Sequence, residues 1–171
     1  MDCIRRKRKQ NTVDFKILFS KIDFSDTTFI WKNSNIRKWL RNDFYDQAFS
    51  DKEKAKITPI KNETNNQETY DSIFLLSTEE CEKYFVTSND AISKLTQQTI
   101  NEYGNYNGDS TANWWLRDYS YTEIKIGNAK HKYQQLNFVG NDGSIRSSFP
   151  KDSKFSSISA RPVICVDKKQ L

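Results

Sequence analysis

Two adjacent tryptophans followed by a leucine and an arginine, Trp114-Trp115-Leu116-Arg117, constrain this chain more than any other segment. Successive side chains of a strand point to opposite faces. One indole is therefore expected in the core, and the other outward or under a loop, where it either stacks on a ligand or, like the first, serves structure alone. Each large aromatic buries roughly 150–250 Å², so the segment needs a fold with bulk against a late strand. Aromatics make up 13% of the chain while the hydrophobic fraction is only 36%, which is low for a globular protein. The core is thus expected to rest on Phe, Tyr and Trp rather than on Leu and Val. A length of 171 residues fits one domain. A chain of that size needs no disulfide or metal to hold it.

The net charge of +5 invites a nucleic-acid reading, but its distribution argues against one for the body. Arg5, Arg6, Lys7, Arg8 and Lys9 lie in one run, and the remaining 22 basic residues equal the 22 acidic ones. Residues 1–12 read as a basic flexible tail able to bind phosphates through counterion release. Residues 13–171 read as a single, nearly neutral domain.

Cys3, Cys81 and Cys165 are widely spaced, no C-x-x-C occurs, and His131 is the lone histidine. A zinc site needs four ligands at short spacings, so neither a metal nor another cofactor is expected. Reduced thiols in the cytoplasm are the simplest reading. The basic run leads into polar residues rather than an apolar stretch, so no signal peptide is recognised. No apolar run reaches the length of a membrane span.

Phe15 to Phe19 alternate as a strand. Asn33 or Ser34 is expected to cap a helix through about Phe49, with Ile36, Trp39, Leu40, Phe44, Ala48 and Phe49 at helical spacing. Ser50-x-x-Glu53 is a capping box opening a short helix that ends near Ile57, before Pro59. Residues 58–70 are polar without apolar period and read as an exposed loop. Ile73 to Leu76 read as a buried strand, and Ser77-x-x-Glu80 opens a helix through about Phe85. Residues 88–103 read as helical in part, with Ile92 and Leu95 in the core. Residues 104–113 hold two of the five glycines and read as a loop. Trp114 to Asp118, Tyr121 to Ile126 and Gln134 to Val139 read as strands. Asn141-Asp142-Gly143 turns the chain into a further strand, Ser144 to Phe149, and Val163 to Val166 closes the sheet.

These segments resemble a bacterial family known as domain of unknown function 6273. Five motifs carry the likeness, in order, over roughly residues 15–167. They are Trp31-x-x-Ser34-x-Ile36-Arg37-x-Trp39-Leu40, then Asp43-Phe44-Tyr45-Asp46-Gln47-Ala48-Phe49-Ser50 with Glu53-Lys54-x-x-Ile57, then Asp71 to Ser77, Trp114 to Arg117, and Arg161-Pro162. Members usually begin with a further Trp-Arg-Val-Leu strand. The basic run stands where that strand would end, implying a shortened N-terminus or a start within a larger gene. Ser159-Ala160 stand before Arg161 where the family favours Gly-Val. The late motifs look like those of C-type-lectin-like domains. The resemblance therefore implies an α+β, C-type-lectin-like fold: a mostly antiparallel sheet with two or three helices in the N-terminal half. Trp39, Phe74, Trp115 and Val163 would share its core.

The same fold hosts lectins, phage receptor-binding proteins and formylglycine-generating enzymes, so it does not fix function. The Glu-Pro-Asn, Gln-Pro-Asp and Trp-Asn-Asp sets of calcium-dependent lectins are absent. The cysteine pair of the formylglycine chemistry is also missing, since only Cys165 lies near the end, in an apolar strand. Cys81 follows Thr78-Glu79-Glu80, and an acidic setting raises a thiol pKa rather than activating it. Arg117 and Arg161 are expected either to be buried against carboxylates such as Asp71 or Asp118, or to form an anion site. The expected function is non-catalytic recognition of a protein or glycan through loops 104–113 and 140–156, without calcium. Tyr106, Asn107, Asp109, Trp114 and Arg146 would converge on that surface. The alternative is a nucleic-acid accessory protein acting through the tail.

Overall fold

The computed structural model of the protein describes residues 24, 29–95, 110–148 and 158–166. The tail at 1–12, the strand expected at 15–19 and residues 104–109 lie outside the described residues. Ser34 begins the first helix, as its sequence position predicts. Its hydroxyl accepts the Arg37 N–H at 3.2 Å, satisfying a donor that a helix start leaves free. Helix α1 (Asn35–Trp39) runs through a π-helical turn (Leu40–Phe44) into α2 (Tyr45–Ala48). Ile36 and Leu40 enter the core, while Trp39 is only half-buried and rests on Phe44 at 5.3 Å. The wide turn shifts the apolar register, and Phe44, Tyr45 and Phe49 pack on one another nearer the surface. Both capping boxes form. Glu53 reaches back to Ser50 before α3 (Asp51–Lys54), and Glu80 to Ser77 before α4 (Thr78–Tyr84). A third box, Thr87 with Asp90, opens α5 (Ser88–Ala91).

Residues 58–70 are not a loop. β1 (Ile60–Thr64) and β2 (Gln67–Asp71) form an antiparallel hairpin closed by Asn65 and Asn66 at φ 49° and 61°. Positive φ at both central positions is what a tight hairpin turn requires, and asparagine tolerates it. The strands escape an apolar-period reading because their inward residues are polar: Asn62, Thr69 and Asp71 are buried.

β3 (Ile73–Phe74) pairs antiparallel with β9 (Val163–Ile164). The last segment therefore forms its own two-stranded sheet, and only Val166 goes further, bridging Ile57. The main sheet runs β4 (Ser93–Lys94), β5 (Thr111–Ile126), β6 (Ala129–Val139), β7 (Ile145–Ser148), all antiparallel neighbours. β8 (Ile158–Ser159) adds alongside β5 in parallel. The two strands expected at 114–118 and 121–126 are one strand with a bulge. Trp115 opposes Phe138, but the next pair is Tyr119 with Leu136. The displaced residues find partners elsewhere. The Arg117 N–H donates to the Leu76 carbonyl at 2.9 Å. The Asn65 side chain accepts the Tyr119 N–H at 3.1 Å and donates to its carbonyl at 3.0 Å. The 141–143 turn forms as expected, with Gly143 at φ 80° and its N–H on the Gly140 carbonyl at 2.8 Å.

All four residues from Trp114 to Arg117 are buried, so neither indole turns outward. Both faces of β5 are covered at this point. Trp115 meets Phe24 and Phe138 at 5.7 and 6.1 Å on one face. Trp114 meets Phe85 at 6.1 Å on the other. Phe74 and Trp115 belong to the buried cluster, and Trp39 and Val163 pack against it. The fold is thus α+β with mostly antiparallel sheets, its described helices all between residues 31 and 91.

Candidate functional site

Among the described residues three arginines enter the interior, and the two expected carboxylate partners serve other groups. Asp71 takes Arg37, whose Nε lies 2.8 Å away. It also accepts from Trp31 Nε1, Asn62 Nδ2 and Thr69 Oγ1 at 3.1, 3.1 and 2.6 Å. Asp118 accepts the Thr78 N–H at 2.8 Å and Asn137 Nδ2 at 3.0 Å, which caps α4. Arg117 forks onto Glu80, donates to the Leu75 carbonyl at 2.8 Å and reaches Thr64 Oγ1 at 2.7 Å. Glu80 therefore serves both the capping box and a buried cation. Arg161 pairs with no carboxylate among the described residues. Its guanidinium lies between the rings of Phe85 and Trp114, at 4.8 and 4.9 Å, and donates to the Ala91 carbonyl at 3.0 Å. Burial lowers its pKa.

The entrances to both expected binding loops meet at one end of the main sheet. Asn113 Oδ1 accepts the Asn141 N–H at 2.8 Å, and the Asn113 carbonyl accepts Ser159 Oγ at 2.7 Å. Gly143 lies against the start of α5, where an added Cβ would sit 1.8 Å from the Ser88 carbonyl oxygen. Asp142 organises this turn. Its carboxylate accepts the Ser144 hydroxyl at 2.6 Å, the Ser144 N–H at 3.0 Å and Arg146 at 2.7 Å. The Ser144 bonds, foremost the hydroxyl, hold the Asp142 carboxyl down to about 2. Arg146 also donates to Ser144 Oγ at 3.0 Å and keeps its side chain half exposed.

Of the residues expected to form the binding surface, Tyr106, Asn107 and Asp109 lie outside the described residues. Trp114 does not join Arg146. Its ring is fully buried and its indole N–H donates to the Ala91 carbonyl at 3.1 Å. The register explains the separation. Arg146 opposes Phe138, which opposes Trp115, whereas Trp114 belongs to the next row with Val139 and Ile145. Adjacent rows face opposite sides of a sheet. What the sequence reading missed is the reach of β5 and β6. Beyond Tyr119 and Leu136 they continue as a two-stranded ribbon to a turn at Gly127, φ 61°. Tyr121, Ile124 and Ile126 are exposed on it.

Cys81 is buried, and that burial pushes its thiol up to about 12, whereas attack requires the thiolate. His131 stands exposed on the ribbon beside Tyr133. Cys165 is held in a disulfide, so the expectation of reduced thiols does not hold for it. Among the described residues no group of three or more His, Cys, Asp or Glu side chains is placed to hold a metal ion. None of the described helices is long and apolar enough to cross a membrane.

Residues 16–168 match the family described as a domain of unknown function (DUF6273). No curated protein and no solved structure matches the chain. The chain therefore belongs to the DUF6273 family.

Proposed function

We propose that this domain is a non-catalytic recognition module of C-type-lectin-like fold that binds a protein or a glycan, without calcium, through loops 104–113 and 140–156. The observation that carries the reading is the Asn113–Asn141 hydrogen bond of 2.8 Å, which ties the entrances of the two loops together. Polar loops gathered on a rigid sheet end are the usual platform for recognition. Arg146 adds a charged fork there, held by Asp142 and Ser144 while half exposed. A fork fixed in this way loses little freedom on engaging a carboxylate or a sugar hydroxyl. The metal-free part of the reading rests on the absence of a lectin-type calcium motif from the sequence. A calcium site needs six to eight oxygen ligands.

The test is a glycan array and a pull-down from protein extracts, each with and without a calcium chelator. Binding is expected to survive chelation and to fall about tenfold or more on Arg146→Ala, a loss typical of a charged hydrogen bond. Calcium-dependent binding, or unchanged binding by folded Arg146→Ala and Tyr106→Ala variants, would refute it.

A further inference from the structure

The β5–β6 ribbon raises a question that the recognition reading leaves open. An isolated two-stranded hairpin is marginal in water, and an unpaired strand edge is a template for another strand. Yet this ribbon carries Tyr121, Ile124 and Ile126 at 51%, 38% and 56% exposure. Among the described residues no strand pairs with the outer edge of β5 beyond Tyr119, nor with that of β6 before Leu136.

The two edges differ in charge pattern. Tyr119 directs both backbone groups to Asn65, away from β6. Backbone direction alternates along an antiparallel strand, so the N–H and C=O groups of Tyr121, Glu123 and Lys125 point to that same outer edge. Opposite them, Gln134, Lys132 and Lys130 point outward from β6. Self-pairing of the β6 edge about His131, Lys130 or Lys132 sets lysine against lysine. Lysines in such positions keep an edge from associating. The β5 edge reads Thr122-Glu123-Ile124-Lys125-Ile126. A two-fold axis through Ile124 sets Glu123 of each copy opposite Lys125 of the other. It sets Ile124 against its own copy and Thr122 against Ile126. An isologous contact requires this kind of self-complementarity.

We propose that the protein dimerises by antiparallel pairing of the β5 edge about Ile124, joining two ribbons into one four-stranded sheet. The outward-pointing backbone groups of Glu123 and Lys125 then pair across the axis. The two charge pairs fix the register, and the exposed isoleucines shield one another. From Asn113 to the ribbon tip is about 40 Å at the usual rise per residue. The dimer therefore carries its two loop-bearing ends far from the axis and pointing apart.

The experiment is sedimentation velocity of the full chain. Strand-edge contacts of this length fall below about 1,200 Å². The 20.1 kDa chain is accordingly expected to shift toward twice that mass between roughly 1 and 200 µM. Glu123→Lys gives up the 3.6 Å ion pair with Lys130 and faces Lys132, whereas Lys125→Glu faces Lys130. Each folded variant should melt within about 4 °C of wild type, because exposed pairs contribute little. Each should weaken association about tenfold or more by setting like charges opposite. The double exchange restores the pairs and should return the dimer to within about threefold of wild type. An equal mixture of the two single variants should form heterodimers, because the all-lysine edge of one variant then faces the all-glutamate edge of the other. A wild-type chain monomeric throughout that range would overturn the proposal and leave the edge to a foreign strand. Single variants that dimerise as well as wild type, or a mixture that stays monomeric, would overturn it equally.

Discussion

Replacing Asp71 with alanine removes one carboxylate on which four donors converge. The Arg37 and Asp71 side chains are 11% and 0% exposed. Deleting one member of a buried ion pair costs about 3–5 kcal/mol, because the other charge stays behind without compensation. Arg37 keeps the Lys32 carbonyl at 2.9 Å, which offsets part of that loss. Trp31, Asn62 and Thr69 lose an acceptor as well, at about 1–3 kcal/mol for each donor left buried and unpaired. These costs overlap, since the groups share one pocket. A net loss of about 5 kcal/mol follows, a large share of the roughly 5–15 kcal/mol that a domain possesses. The melting temperature should fall by about 10–20 °C. Urea unfolding is the assay, and the midpoint should drop with m unchanged. Asp71→Asn keeps one acceptor and should cost about half as much. Adding Arg37→Met to Asp71→Ala should recover about 2 kcal/mol by removing the stranded charge. The reasoning fails if Asp71→Ala lies within about 1 kcal/mol of wild type, or if Arg37→Met adds its full separate cost to it.

Two glycines with similar φ should respond differently. Gly127→Ala meets open space and should cost about 1 kcal/mol, whereas Gly143→Ala drives a methyl into the Ser88 carbonyl and should cost about 3 kcal/mol or more by thermal melts. Asn65→Ala removes both hydrogen bonds to Tyr119 and leaves alanine at positive φ, so a loss of about 2 kcal/mol is expected in urea titrations. Cys81 should resist iodoacetamide at neutral pH until the chain unfolds, and rapid labelling of folded protein would contradict its burial. Its thiol pKa is raised by burial from 9.0 to about 12. The unfolded chain therefore sheds that proton first, and the Cys81 contribution to stability should decline as pH climbs through that window. A Cys81→Ala variant with the same alkaline slope as wild type would place the titration elsewhere.

Local chemistry was legible in the sequence. Ser34, Ser50 and Ser77 announce their helices because a cap is a contact between neighbours in the chain. The 141–143 turn is legible for the same reason, since glycine adopts its positive φ without cost. The five ordered motifs identify the family, and the apolar run from Ile73 to Leu76 marks itself as buried. The hairpin at 60–71 was not legible. Its inward face is Asn62, Thr69 and Asp71, and polar residues become interior only when Trp31 and Arg37 arrive from the segment at 31–37 to satisfy them. Partner choice was equally hidden. Which carboxylate meets Arg117 depends on α4 lying beside the β5 bulge, so Glu80 won it while Asp118 turned to cap that helix. Tertiary structure also decided Trp114. Alternation puts the two indoles on opposite faces, but only the packing of Phe85 and Arg161 buries the second face. A sequence records what each residue does to its neighbours in the chain. What covers a strand is settled by segments dozens of residues away, and there the fold alone determined what stayed exposed.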